Sequence, residues 1–421
     1  MPPNALLRAC TELLSLALTF AHPADATVAR YLREHPSFGP RERALLRATV
    51  WRVLRHKRLL EALLEGTPQT HRLRRLAILG FDGPRAVIAG ALSPEESTWL
   101  AECDARLEHP AWMPPALHHN LPDWLALALQ AQVPDFDALA DSLLHTAALD
   151  VRVNTAQTKR EAVQTELAQA GIASSPTPYS PWGLRLVGKP NLGELPAFTR
   201  GAIEVQDEGA QLLALLSGAK RGHIVVDFCA GAGGKTLALG AAMRNTGRLY
   251  AFDTSAHRLA QLTPRLARSG LSNVYPTAIA HENDERLLRL TGKADRVLVD
   301  APCSGLGTLR RNPDLKWRHT PAAITTLTQQ QSTILQAAAR LVKPGGQLIY
   351  ATCSLLTAEN QAIAAAFSAS QPQFTLQHAA TLLARSKVPQ ADTLCDSGGY
   401  MQLWPHRHQT DGFFAAVWSR K

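Results

Sequence analysis

Over its first 140 or so residues the chain repeats apolar positions at helical spacing, and prolines interrupt the pattern at Pro36, Pro40, Pro68, Pro84, Pro94, Pro110 and Pro114-Pro115. This periodicity predicts an almost wholly helical region. Within it, Leu46, Val50, Val53, Leu54 and Leu60 supply one apolar side. Arg41, Arg52 and Arg55 fall near whole helical turns from one another, so one helix is expected to bury one face and offer arginines on another. From about Leu149 the texture changes. Residues 150–154 and 184–187 read as short strands around a helix over 158–170, and the Pro- and Ser-rich stretch 174–182 reads as a surface loop. A strand over 202–205 and a helix over 208–216 then lead into alternating strands and helices that last almost to the end, the pattern of a doubly wound parallel sheet. The runs 224–228, 249–252, 297–300 and 348–351 are too short and too continuously apolar for amphipathic helices and fit strands covered on both faces. Three domains are expected: helical over 1–142, a small α+β module over 143–215, and an α/β domain over 216–421.

Composition narrows the class. A chain of 421 residues with 46% hydrophobic and 19% charged residues is globular and exceeds what one core usually serves. The stretch 13–21 is read as an amphipathic first helix instead of a signal peptide, because Glu12 interrupts its flank and only Arg8 supplies positive charge. No apolar run approaches the ~20 residues of a membrane span. Six cysteines occur with no Cys-x-x-Cys spacing, which argues against zinc and against a disulfide framework and places the chain in the reducing cytoplasm. No metal site is expected; His319, His406 and His408 form no ligand spacing. The net charge of +9 favours a polyanionic partner, with nucleic acid leading.

Two cysteines stand apart. Pro302-Cys303-Ser304 and Thr352-Cys353-Ser354 each follow an apolar strand-like run. In a parallel sheet, ligands sit beyond the carboxyl ends of the strands, so both thiols would emerge at one site. A buried free cysteine is more often a small core hydrophobe, but this shared placement argues for covalent chemistry.

The cofactor end of the sheet is read from the strand 224–228 and the loop Cys229, Ala230, Gly231, Ala232, Gly233, Gly234, Lys235, Thr236 that opens a helix. Glycines there let the backbone turn and approach a ligand beside a helix N-terminus. Two phosphate motifs fail. Cys229 stands where a P-loop needs its first glycine, and Thr236 where the dinucleotide fingerprint needs its last. Yet the next strand ends in Asp253, about 20 residues past the glycines, where an acid can bind ribose hydroxyls or simply cap the strand. A ribose-bearing ligand without pyrophosphate fits, namely S-adenosylmethionine.

Taken together and in order, Asp227-Phe228-Cys229-Ala230 with Gly233-Gly234-Lys235-Thr236, Asp300-Ala301-Pro302-Cys303-Ser304-Gly305, Ala351-Thr352-Cys353-Ser354 and Asp411-Gly412-Phe413-Phe414 resemble the RNA cytosine-5 methyltransferases, in particular the 16S ribosomal RNA enzymes of the RsmB type. The resemblance covers nearly the whole chain. It departs from the family at Gly231-Ala232, where members usually carry Ala-Pro, and at Ala148-Leu149, where Pro-Leu is common. It implies a Rossmann-like class I methyltransferase domain preceded by an all-α NusB-like RNA-binding domain. It further implies Cys353 as the nucleophile on carbon 6 of cytosine, Cys303 as the group assisting proton removal and release, Asp300 holding the base, and Lys235 beside it. Cofactor contacts are expected from Cys229, Ala230, Gly231, Gly233, Gly234, Lys235, Asp253, Arg258, Asp300 and Asp284, with Glu282 and Glu285 competing for the role of Asp284. RNA contacts are expected from Arg41, Arg52, Arg55, Arg311, Lys316 and Arg318, against the alternative of plain surface solvation. The residues 354–359 are expected to open a helix whose N-terminus supports the Cys353 thiolate. The expected partner is RNA, 16S rRNA in particular, with the protein a monomer and not at a membrane. Two other readings are a DNA cytosine-5 methyltransferase, which also uses a Pro-Cys nucleophile, and a non-catalytic RNA-binding assembly factor, which would have no need of the cysteine pair.

Overall fold

The computed structural model describes residues Met1–Lys421, the side chain of Pro110 excepted. Two compact units emerge. One comprises Met1–Thr146 with Thr308–Pro321, the other Ala147–Gly307 with Ala322–Lys421.

In the first unit every described regular element is helical. The helix Pro40–Arg55 starts at a proline in its first turn, where the missing N–H costs nothing, and buries Leu46, Val50, Val53 and Leu54. These join Leu6, Leu13 and Leu14 of the helix Pro3–Ala17 and Leu76 and Ile78 of the helix Gln69–Gly80 in one core. Thr308–Pro321, which falls inside the stretch read above as part of the α/β domain, belongs to this core through Trp317. Trp317 Nε1 donates to Leu54 O at 2.7 Å, Trp51 Nε1 to Arg311 O at 2.8 Å, and Ala24 N to Asp314 Oδ2 at 3.2 Å.

This arrangement corrects two of the expected RNA contacts. Arg55 is only 8% exposed, with Nη2 donating to Arg310 O at 3.0 Å, and Lys316 is 2% exposed, with Nζ donating to Arg55 O at 2.9 Å. The helical wheel placed Arg55 on a polar face, but the segment 308–321 covers that face. No local pattern reports a strap arriving from more than 250 residues away. Of the others, Arg41 is exposed, Arg52 lies 3.6 Å from Asp82, Arg318 lies 3.5 Å from Asp314, and Arg311 is partly exposed.

The second unit begins with a four-stranded antiparallel sheet, β1 Leu149–Val153, β2 Ser174–Pro176, β3 Gly183–Leu186 and β4 Ile203–Val205, in the order β2-β3-β1-β4. The stretch expected to be loop alone contains β2. A proline is tolerated there because β2 is an edge strand, whose free side needs no N–H. The helix Arg160–Gln169 packs on this sheet through Val163 and Leu167.

The larger sheet contains β5 Ile224–Asp227, β6 Arg248–Asp253, β7 Val274–Ala278, β8 Ala294–Asp300, β9 Val342–Thr352, β10 Phe374–Gln377, β11 Met401–Leu403 and β12 Phe413–Arg420. Its order is β10-β12-β9-β8-β5-β6-β7, with β11 beside β12. The strands β5 to β9 pair in parallel, whereas β12 runs antiparallel to β9. Strand order reverses between β5 and β8, which opens the ligand crevice at their carboxyl ends. Among the described residues no helix is long and apolar enough to cross a membrane.

Burial of Lys316 generates a pH-dependent stability. Burial first, then the nearby Arg55 charge, brings its ammonium down to about 7 from an ordinary value of 10.5. Between those values the unfolded chain binds a proton that the folded chain lacks, so stability rises with pH across the window and the gain is absent below about 7. Lys316→Met should flatten that rise in denaturant melts of the helical unit followed by Trp51 and Trp317 fluorescence. An unchanged pH slope would show that Lys316 keeps its proton when folded.

Candidate active site

A cavity of about 570 Å³ opens at the carboxyl ends of β5, β6, β8 and β9. Cys229, Ala230, Gly231, Gly234, Lys235, Asp253, Arg258, Asp300, Cys303 and Cys353 all line it.

At its cofactor end, Asp227 closes β5 and is fully buried. Burial pushes its carboxyl up to about 7, and Thr236 Oγ1 donates to its Oδ2 at 2.7 Å, pinning the glycine loop to the sheet. Gly231 has φ +55° and no atom within 4 Å of where a Cβ would stand. Its N–H donates to Asp253 Oδ2 at 2.8 Å. The Gly231-Ala232 departure is therefore a left-handed turn, which glycine adopts without strain. Asp253 Oδ1 accepts from Ser255 N at 2.7 Å and Arg258 Nη2 at 3.1 Å. Three bonds leave about one of the ~four acceptor positions of a carboxylate for a ligand hydroxyl. Gly233 does not touch the cavity. Its φ of +84° starts the helix Gly234–Ala242, and a Cβ there would lie 2.1 Å from Leu262 Cδ1.

Asp284 is the other correction. Its oxygens accept from Ala280 N at 2.8 Å and Arg286 N at 2.9 Å, capping the turn Glu285–Leu288, and these bonds hold its carboxyl below the ordinary range. Glu282, with Ile279, lines the cavity instead. Sequence spacing placed an acid in this loop but could not choose which of three acids the turn would aim inward.

At the reaction end the two thiols meet. Cys303 Sγ and Cys353 Sγ lie 3.5 Å apart, and both cysteines are unpaired by disulfide. The hydrogen bond to Cys353, then burial, pushes the Cys303 thiol well above its ordinary value. Lys235 Nζ donates to Asp300 Oδ2 at 2.6 Å. Burial pulls the Lys235 ammonium down, but the Asp300 charge and hydrogen bond outweigh it and the net direction is up, so Lys235 stays cationic. The expected helix N-terminus at Cys353 is not there. Residues 354–359 form a non-helical turn, and the helix begins at Gln361. The positive charge near Cys353 is Lys235, whose electrostatic partners include that thiol.

Several supporting residues had no signal in the sequence. Gln206 lines the cavity and accepts from buried Arg152 Nε at 2.6 Å. Arg265 Nη1 donates to Ala232 O at 2.5 Å and its Nη2 to Glu204 Oε2 at 3.1 Å, so the small module braces the glycine loop. Gln330 and Ile334 complete the wall. These residues come from separate elements, and only folding assembles them.

A parallel sheet with one antiparallel strand near its edge, a glycine loop after β5 and an acid ending β6 define a Rossmann-like methyltransferase. The family model described as 16S rRNA methyltransferase RsmB/F matches residues 214–419, and that of the RsmF/B-like ferredoxin-like domain matches residues 121–192. The chain belongs to the RsmB/F family. A probable ribosomal RNA small subunit methyltransferase B from Synechocystis is 37% identical over 272 residues, 64% of this chain and 59% of that protein. The corresponding protein of Salmonella typhi is 31% identical over 325 residues, covering 76% and 68%. The matched region thus spans 59% of the first of these relatives and 68% of the second. The crystal structure of PH0851 superposes with a TM-score of 0.76 at 26% identity over 100% of this chain and 99% of its own. A methyltransferase homologue from Pyrococcus horikoshii gives 0.61 at 25% identity, covering 73% and 97%.

Gly233→Ala should destabilise the chain by more than the roughly 1–3 kcal/mol of a strained left-handed residue, because it adds the Leu262 overlap. Gly218→Ala, also at positive φ but facing open space, isolates the strain alone. Equal losses in thermal melts of the two variants would show that the Leu262 contact relaxes without cost.

Proposed function

We propose that this chain transfers a methyl group from S-adenosylmethionine to carbon 5 of a cytosine in 16S rRNA through a covalent adduct with Cys353. The observation that carries this reading is the 3.5 Å approach of two thiols on a cavity wall shared with the Lys235–Asp300 pair.

Asp253 suits ribose hydroxyls, and Phe228 and Ile279 offer apolar surface for an adenine, while Gly231 leaves room for close approach. When bound, S-adenosylmethionine supplies an electrophilic sulfonium methyl. The remaining work falls to the protein. Carbon 5 of cytosine is a poor nucleophile while the ring is aromatic, so Cys353 adds its thiolate to carbon 6 and makes carbon 5 enamine-like. Asp300, held by Lys235, faces the same cavity and is assigned the ring edge of the base, favouring its protonated form during addition. Carbon 5 then takes the methyl as S-adenosylhomocysteine leaves. Cys303, having given its own proton to solvent, accepts the carbon 5 proton as a thiolate, and the carbon 6–sulfur bond breaks to release Cys353 as thiolate.

The electrostatics support this division of labour. In the resting site the hydrogen bond to Cys353, then burial, pushes the Cys303 thiol well up, so Cys303 keeps its proton beside the Cys353 sulfur. Once Cys353 is bonded to carbon 6, its hydrogen bond with Cys303 weakens, and that bond is the largest cause of the raised Cys303 value. Cys303 then gives its proton to solvent more readily and becomes a thiolate base for the carbon 5 proton.

The helical unit is assigned to RNA binding in the NusB-like manner, with Arg41, Arg52, Arg311 and Arg318 as phosphate contacts. The target base must be unpaired or flipped out. The protein is assigned to the cytoplasm as a monomer, where six unpaired cysteines persist reduced.

With 16S rRNA fragments, Cys353→Ala should lower turnover by more than about 10³-fold and trap nothing. Cys303→Ala should accumulate a covalent protein–RNA adduct visible by denaturing gel. Adducts appearing in the opposite variant would reverse the two roles, and methylation of duplex DNA but not rRNA would overturn the substrate.

A further inference from the structure

Both reactive cysteines are followed by a buried serine, and one side chain holds both serines. Glu359 is fully buried in the turn after β9. Its Oε1 accepts from Ser304 N at 2.8 Å and from Gln331 Nε2 at 3.0 Å. Its Oε2 accepts from Ser304 Oγ and Ser354 Oγ, each at 2.5 Å. Gln331 Nε2 also donates to Pro302 O at 3.0 Å, so both neighbours of Cys303 are tied to the same pair of residues. On the other loop, the adjacent Asn360 accepts from Thr352 Oγ1 at 2.5 Å and donates to Ser354 O at 3.0 Å, tying both neighbours of Cys353. Tyr350 Oη reaches Glu359 O at 2.6 Å and Gln331 Oε1 at 3.2 Å and closes the network. Outside this network, one backbone bond, Gly307 N to Cys353 O at 2.8 Å, joins the two loops.

We infer that Glu359 is the positioning residue that sets the separation of the two thiols. The chemistry requires this residue type. A carboxyl group offers about four acceptor positions, enough to take donors from both loops at once, whereas an amide offers acceptors on one atom only. Two of the donors, Ser304 N and Gln331 Nε2, cannot reverse their polarity. Glu359 does not line the cavity and touches neither thiol; it acts through Ser304 and Ser354. The inference rests on the two-thiol reading above only for its catalytic consequence.

The test measures thiol convergence and turnover separately. Phenylarsine oxide binds two neighbouring thiols through one arsenic, so the wild-type chain should capture one equivalent, lost in Cys303→Ala and in Cys353→Ala. Glu359→Gln keeps the volume of the side chain and replaces one acceptor by a donor. It should weaken capture by roughly fivefold or more and lower kcat about tenfold, with KM for RNA within about twofold. The double variant Ser304→Ala with Ser354→Ala should move both readouts in the same direction and serves if Glu359→Gln does not fold. Unchanged capture in these variants, whatever happens to kcat, overturns the inference, as does a wild-type chain that captures nothing. Weakened capture with no RNA methylation by the wild-type chain would uphold the clamp and sink the proposed activity instead.

Discussion

The site depends on the level endings of two parallel strands. β8 and β9 pair so that Asp300 stands opposite Ala351. From this pair the chain runs three residues to Cys303 and two to Cys353, both just past the strand ends, so both thiols emerge at the same edge of the sheet. A shift of one residue in this pairing would displace one loop from the other by about 3.3 Å along the strands. Register in this sheet is strongly specified because Val297, Val299, Leu348 and Tyr350 are all buried in one core. Apolar packing in the strands therefore sets where the two thiols stand.

Above the strand ends, polar groups take over from packing. Glu359, Gln331, Ser304, Ser354 and Asn360 are almost entirely removed from water, and each buried polar group must find a partner or cost free energy. They find one another. The same argument holds at the cofactor end, where Asp227, Asp253 and Glu204 take up Thr236, the Gly231 N–H and two arginines. The irregular loops that line the cavity are held by buried side-chain acceptors.

The segment 308–321 shows how one stretch of chain can carry two kinds of information. It starts five residues after Cys303, yet its tryptophan and lysine complete the core of the helical unit. Its basic and aromatic composition reads as a nucleic-acid surface, and part of that composition is spent on packing. Lys316 and Arg55 satisfy backbone carbonyls, while Arg318 and Arg311 remain nearer the surface.

Strand runs at 224–228, 249–252, 297–300 and 348–351, the helix 208–216, and the glycine loop with its acid at Asp253 were legible in the chain, because each is written in contiguous residues whose period or punctuation has a local cause. Lost to that reading were Gln206, Glu204, Arg265 and Glu359, and with them the burial of Arg55 and Lys316. Their roles are long-range: Arg265 meets Ala232 from another helix, and Arg55 meets Arg310 across the sequence. The choice of Glu282 over Asp284 depended on which carboxyl a short turn consumed as its cap. Sequence alone determined the order of strands and helices, since propensity and period act on neighbours. Which side chains face the cavity, and how close two sulfurs stand, only the packed fold decided, because those distances are set by partners that the chain brings together last.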